Sequence, residues 1–267
     1  MSALPGSLAD FGPAALAAVV VAAYLVVGEP VAGHVLHRRF ESRLRTDPRA
    51  RRSFYLRLLV LEWGLALLAL VVWLMSPGVT AGQVGLRWPQ QWPGVLTSFV
   101  VVLVLLFVVV STRALRSGAL LDAAIDPPRL SRHGPPTQGR HAEPPGHATL
   151  ALLPRSAGER RLFTLVGVTA GVCEEWLYRG FFLAVVAGLA GGLPTWALVL
   201  VAAAAFGAAH AYQGRAGIAL TGVLGGVMAA LYLQTGSLLL PVLLHAAIDL
   251  RFLLVPARVL PGARVAA

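Results

Sequence analysis

The sequence contains no lysine and a single cysteine, Cys173, and only 13% of its 267 residues are charged. One cysteine excludes an intramolecular disulfide framework. The charged share is about half that of an ordinary soluble domain. With 57% hydrophobic residues and a mean hydropathy of +0.73, the apolar surface exceeds what one core of this size can bury. A soluble globular domain is thereby excluded, and lipid is the expected cover for the surplus. Arginine is also missing from the N-terminus, where none precedes Arg38. The positive n-region of a secretory signal is therefore lacking, and the first apolar run reads as a permanent span.

Apolar runs of about 20 residues, enough to cross roughly 30 Å of hydrocarbon, recur along the chain. They predict an all-α fold, a polytopic helical membrane protein with about seven transmembrane helices near 11–35, 55–76, 93–112, 160–189, 194–212, 216–234 and 237–255. All 22 basic residues are arginine, and they give the chain a net charge of +10. They sit between apolar runs, so membrane orientation accounts for them better than nucleic-acid binding does. Eight lie between the first two spans, one (Arg87) between the second and third, and eight from Arg113 to Arg161. This alternation predicts a multi-pass protein of the cell membrane with its N-terminus outside and its C-terminus in the cytoplasm. The abundance of Ala, Gly, Pro and Arg suggests a GC-rich bacterial source.

The organisation read from these runs is a three-span region 1–112, a Pro/Arg-rich flexible cytoplasmic linker 113–159, a four-span region 160–255 and a cytoplasmic tail 256–267. The linker holds three Pro-Pro pairs and has little to bury. Its histidines, His133, His141 and His147, read as solvated. Trp88 and Trp92 read as interfacial anchors, and Gly222 and Gly226 as a close-packing GxxxG pair.

Ionisable residues inside spans are costly, about 2.5–3.5 kcal/mol each at a helix centre, and tend to mark function. Seven polar candidates stand out: Glu62, Glu174, Glu175, Arg179, His210, His245 and Asp249. Glu175 and Arg179 are one turn apart and are expected to form a structural ion pair. Glu174 points about 100° away from Glu175 and needs a partner from another span. His210 follows Phe206 by one turn, and His245 precedes Asp249 by one turn. Depth along the helices lets Glu174, His210, His245 and Asp249 converge in a chamber open toward the cytoplasm. Glu62 lies near the arginine-rich loop and is expected to snorkel toward Arg57 or the interface. Cys173 sits among carboxylates, which argues against a nucleophilic thiol.

Carboxylates with imidazoles support two chemistries. Glu174, His210 and His245 could ligate a divalent metal such as Zn2+. Alternatively, a Glu base and a His could hold a water while the other pair donates to an oxyanion. The same groups would also suit a proton pathway.

The motifs "EEWLYR", "FGAAH" and "HAAID" match EExxxR, FxxxH and HxxxN/D, in that order, on successive apolar segments. Over about residues 150–255 the chain thereby resembles the CPBP intramembrane protease family, which includes the CAAX prenyl endopeptidases and bacteriocin-processing proteins. The resemblance implies a peptide hydrolase with its site inside the helix bundle, acting on a peptide or membrane-protein substrate. It implies that Glu174 and His210 activate water, that His245 and Asp249 stabilise the oxyanion or complete the site, and that Glu175 with Arg179 is structural. Asp249 departs from the Asn of the eukaryotic-type enzymes. An ionised Asp accepts hydrogen bonds and cannot donate them, so Asp249 must be protonated, ligate a metal, or orient His245. That departure leans mildly toward a metal. The alternatives are a non-proteolytic chaperone or regulator on the same scaffold and a small proton-coupled transporter.

Overall fold

The computed structural model describes residues 4–44, 46–117, 151–256 and 260. Among them the regular structure is helical, gathered in seven rods. The first, α1, runs Leu8–Leu44; α2 is Ala50–Leu74 and α3 is Val95–Ser117. The fourth, α4 (157–190), joins Ala157–Glu175, a π-helical stretch Trp176–Phe182 and Leu183–Ala190 end to end. Then come α5, Thr195–Ala209, α6, Gly214–Thr235, and α7, Leu239–Leu250. A capping box starts α4: the Ser156 hydroxyl accepts from the Glu159 amide, and the Glu159 carboxylate accepts from the Ser156 amide.

Among the described residues, four helical segments are long and apolar enough to cross a membrane: α1, α2, most of α3, and α6 with the turn before it. The other three rods differ from the plain crossings expected. α4 is interrupted by Glu174, Glu175 and Arg179. α5 has 15 residues and α7 has 12, about 22 and 18 Å at 1.5 Å per residue. Both fall short of a bilayer core of roughly 30 Å.

Successive rods run up and down, so the loops gather at two ends. At the arginine-rich end the Arg51 Nε donates to the Ala151 carbonyl at 3.1 Å, Tyr55 to the Leu152 carbonyl, and Arg160 to the Leu253 carbonyl. At the other end the loop between α2 and α3 is stitched to the α6–α7 turn. The Gln90 amide donates to the Thr235 carbonyl at 2.9 Å, the Leu238 amide to the Gly85 carbonyl at 3.0 Å, and the Arg87 Nε to the Gly236 carbonyl at 3.0 Å. Trp88 and Trp92 stand exposed on that loop.

The three-span and four-span regions share one core, in which Phe11, Leu25 and Ala69 pack with Leu177, Phe181 and Ala202. Most of the expected linker, residues 118–150 with its three histidines, and most of the expected tail lie outside the described residues. Residues 113–117 continue α3, and 157–159 begin α4.

α5 and α6 pack closely. A Cβ on Gly207 would lie 2.8 Å from the Ile218 carbonyl and 3.2 Å from the Gly222 Cα, and one on Gly222 would lie 3.2 Å from the Ala203 carbonyl. Gly207→Ala is therefore expected to lower stability by about 1–3 kcal/mol through overpacking. Gly64→Ala, where nothing lies within 4 Å, should be neutral in the same unfolding measurement in detergent. Equal midpoints for both variants would contradict this packing.

Candidate active site

α4 supplies both glutamates at the point where its α-helix gives way to π-helix. Such local widening recurs at functional sites because it re-aims side chains. α7 meets α4 through small residues: a Cβ on Gly171 would lie 3.0 Å from the Ala246 side chain and 3.1 Å from the Val242 carbonyl. That approach brings His245 between the two carboxylates. Its Nδ1 lies 2.7 Å from Glu175 Oε1, while its Nε2 lies 3.9 Å from Glu174 Oε2 and 3.8 Å from Asp249 Oδ2. An ionised carboxylate only accepts, which assigns the Nδ1 proton to the bond with Glu175. The sequence had placed the two glutamates on separate partners. One imidazole serves both, because its nitrogens lie on different edges of the ring.

Glu175 and Arg179 are fully buried, with Arg179 Nη1 3.0 Å from Glu175 Oε1. Arg179 Nη2 donates to the Gly225 carbonyl at 3.1 Å, and the guanidinium lies 4.3 Å from the Phe206 ring centre. The pair is thus present, yet Glu175 does more than cancel a charge: the same oxygen faces Arg179 and holds His245.

α5 ends at Ala209, and His210 caps it. The His210 Nδ1 is 2.9 Å from the Phe206 carbonyl. A carbonyl accepts only, so Nδ1 carries the proton and Nε2 is left to act on the cavity side. The Phe206 ring meets His245 edge-on, at 5.8 Å between centres. The FxxxH spacing therefore fixes His210 through its backbone and supports Arg179 and His245 through the ring.

Glu174, His210, His245 and Asp249 line one cavity of about 200 Å³. Its wall toward the arginine-rich end is apolar, with Phe54, Leu152, Phe163 and Phe252. A smaller cavity of about 160 Å³ adjoins it, sharing His210, His245 and Asp249 and touching Arg251. An open groove under Arg49, Arg52 and Arg57 on α2 holds none of these residues. Cys173 is buried and free and does not line the cavity.

Two carboxylates on the cavity wall come from the three-span region. Glu62 is 8% exposed, and its buried Oε2 has no hydrogen-bond partner. The expectation that it snorkels toward Arg57 is corrected: α2 is pinned to α4 by Trp63 Nε1 donating to Thr169 Oγ1 at 3.1 Å and Trp176 Nε1 donating to the Ala66 carbonyl at 3.0 Å. Those bonds turn Glu62 inward. Glu29 was missed altogether. It follows a π-helical turn, Tyr24–Gly28, and its Oε2 accepts from the Tyr178 hydroxyl at 2.8 Å. The available signal was a lone acid inside the first apolar run.

The donor types suit zinc, but their spacing does not. Among the described residues no three His, Cys, Asp or Glu side chains form a group that could hold a metal ion, so Glu174, His210 and His245 are not closed into a ligand set as placed.

Removing Arg179 would leave Glu175 as an uncompensated buried charge. Arg179→Ala is expected to cost about 3–5 kcal/mol, with part regained in the double variant Arg179→Ala, Glu175→Gln. Unfolding in detergent, analysed as a double-mutant cycle, checks this; additive losses would contradict the coupling.

Residues 158–251 match the family model described as type II CAAX prenyl endopeptidase Rce1-like. The match runs from the first turn of α4 to the end of α7 and leaves α1–α3 outside. No curated protein and no solved structure matches the chain. The four-helix region that carries Glu174, His210, His245 and Asp249 is thus similar to the type II CAAX prenyl endopeptidase Rce1-like family.

Proposed function

We propose that this membrane protein is an intramembrane endopeptidase that hydrolyses a peptide bond at or in the bilayer with water activated by Glu174 and His210. One observation carries the reading: the three motif segments bring Glu174, His210, His245 and Asp249 to a single cavity inside the bundle, where Glu174 Oε2 is buried without a hydrogen-bond partner. In this reading the arginine-rich end faces the cytoplasm, with the N-terminus outside and the C-terminus inside, and the protein resides in the cell membrane.

The chemistry follows from the fixed ring orientations. Glu174 takes a proton from water positioned with the His210 Nε2 lone pair. The oxygen attacks the scissile carbonyl carbon, and negative charge moves to the carbonyl oxygen. A proton on His245 Nε2, or on Asp249, donates to that oxyanion. The C–N bond then breaks, and the proton held by Glu174 passes to the leaving nitrogen. Orienting His245 is already done by Glu175, so Asp249 is assigned to the donor role. No step is routed through zinc, because the donors do not close on an ion.

Profiling of peptide termini in membranes should show termini present with wild type and absent with Glu174→Ala. On a substrate so identified, Glu174→Gln and His210→Ala should each lower turnover by about 10²–10⁴-fold, the range for a positioned acid–base group. Unchanged termini alongside an altered cell phenotype would reject the protease reading and favour a chaperone or regulator. Asp249→Asn keeps a donor and should retain far more activity than Asp249→Ala; equal losses would remove the donor assignment. Chelators should leave turnover of the purified protein within about twofold. A loss restored by Zn2+ would show that the ligand set closes on an ion, a Lewis-acid route.

A further inference from the structure

Four carboxylates reach the cavity, Glu29, Glu62, Glu174 and Asp249, and no arginine lines it among the described residues. Three arginines donate to main-chain oxygens next to its lining residues: Arg51 to Ala151, Arg160 to Leu253 and Arg251 to Ile248. Three of the carboxylates have a hydrogen-bond donor or an imidazole nitrogen within 4 Å. Glu29 accepts from Tyr178, while Glu174 and Asp249 face His245 Nε2. Glu62 differs. It is more than nine-tenths buried, its Oε2 lacks a hydrogen-bond partner, and it lines the cavity. The two tryptophan hydrogen bonds that lock α2 to α4, at Trp63–Thr169 and Ala66–Trp176, set Glu62 in register with the Glu174 turn. A buried carboxylate oxygen without a donor is costly, so its presence on a cavity wall asks for a donor that arrives with the ligand.

We infer that Glu62 is the anchor of a substrate subsite for a basic side chain, arginine or lysine, of the peptide that enters this cavity. A guanidinium or ammonium supplies donors and no acceptors, which matches a buried carboxylate oxygen that has no donor. The apolar wall of Phe54, Leu152, Phe163 and Phe252 takes the neighbouring apolar residues or the aliphatic stem of the basic one. The subsite lies on α2, outside the region matched by the family, so the three-span region contributes selectivity while the four-span region contributes the reacting groups. This rests on the protease reading for the identity of the ligand as a substrate, though not for its charge.

The test uses the full chain in proteoliposomes and a set of apolar peptides, identical except for Arg, citrulline or Glu scanned through successive positions. Cleavage is read by mass spectrometry and binding by anisotropy of labelled peptide. Wild type should prefer Arg over the isosteric neutral citrulline by about tenfold or more, the scale of one charge-assisted hydrogen bond. Glu62→Gln should collapse that ratio to about twofold or less, and Glu62→Asp should retain part of it. Glu62→Gln is isosteric and Glu62→Asp keeps the charge one methylene shorter, and their unfolding midpoints are measured alongside. Cleavage without an Arg preference, or with one that survives Glu62→Gln, overturns the subsite and leaves the protease reading standing. Glu62-dependent preferential binding of the Arg peptide without cleavage supports the subsite and removes the protease reading. A shift in the pH profile alone, with the Arg preference intact, overturns the subsite, as does failure both to cleave and to bind the Arg peptide selectively.

Discussion

The site depends on one fully buried carboxylate. Glu175 lies 3.0 Å from Arg179 and 2.7 Å from the His245 Nδ1. Taking two charges out of water costs several kcal/mol per ion, and the geometry must repay it. The return here is positional. With Arg179 braced by the Gly225 carbonyl and the Phe206 ring, Glu175 can fix the tautomer and tilt of His245 from another helix. That leaves Nε2 facing Glu174 and Asp249. The arrangement links α4, α5, α6 and α7 through a single charge.

The cavity lies where the helices are incomplete. α5 and α7 are too short to fill the bilayer thickness, and α5 stops at His210. Near the end of α5 the bundle keeps a cavity of about 200 Å³, closed toward the arginine-rich end by the cluster of Phe40, Phe54 and Tyr55. The longer rods α1 and α2 wall that void, and each contributes a carboxylate, Glu29 and Glu62. Both α1 and α4 carry a π-helical turn next to an acid. Tyr178, within the turn of α4, reaches Glu29, next to the turn of α1. The motif residues and the two carboxylates of α1 and α2 therefore come from different parts of the chain, joined by one hydrophobic core.

The sequence by itself determined a great deal. Its hydropathy required helices in lipid, because backbone polar groups in hydrocarbon must bond within their own segment. The cost of charge in an apolar run singled out Glu174, Glu175, Arg179, His210, His245 and Asp249, since each such residue stands out against its neighbours. Helical spacing of four determined that Glu175 meets Arg179 and His245 neighbours Asp249, both being local, one-turn relations. Tertiary structure alone decided which faces meet. Period and composition carry no information on the rotation of one helix against another. So the sharing of His245 by two adjacent glutamates, the bracing of Arg179 by Phe206 and the inward turn of Glu62 had no local signature. Glu62 shows the reason most plainly: proximity to Arg57 along the chain suggested the interface, and two tryptophan hydrogen bonds between α2 and α4, over a hundred residues apart in sequence, turned it to the cavity.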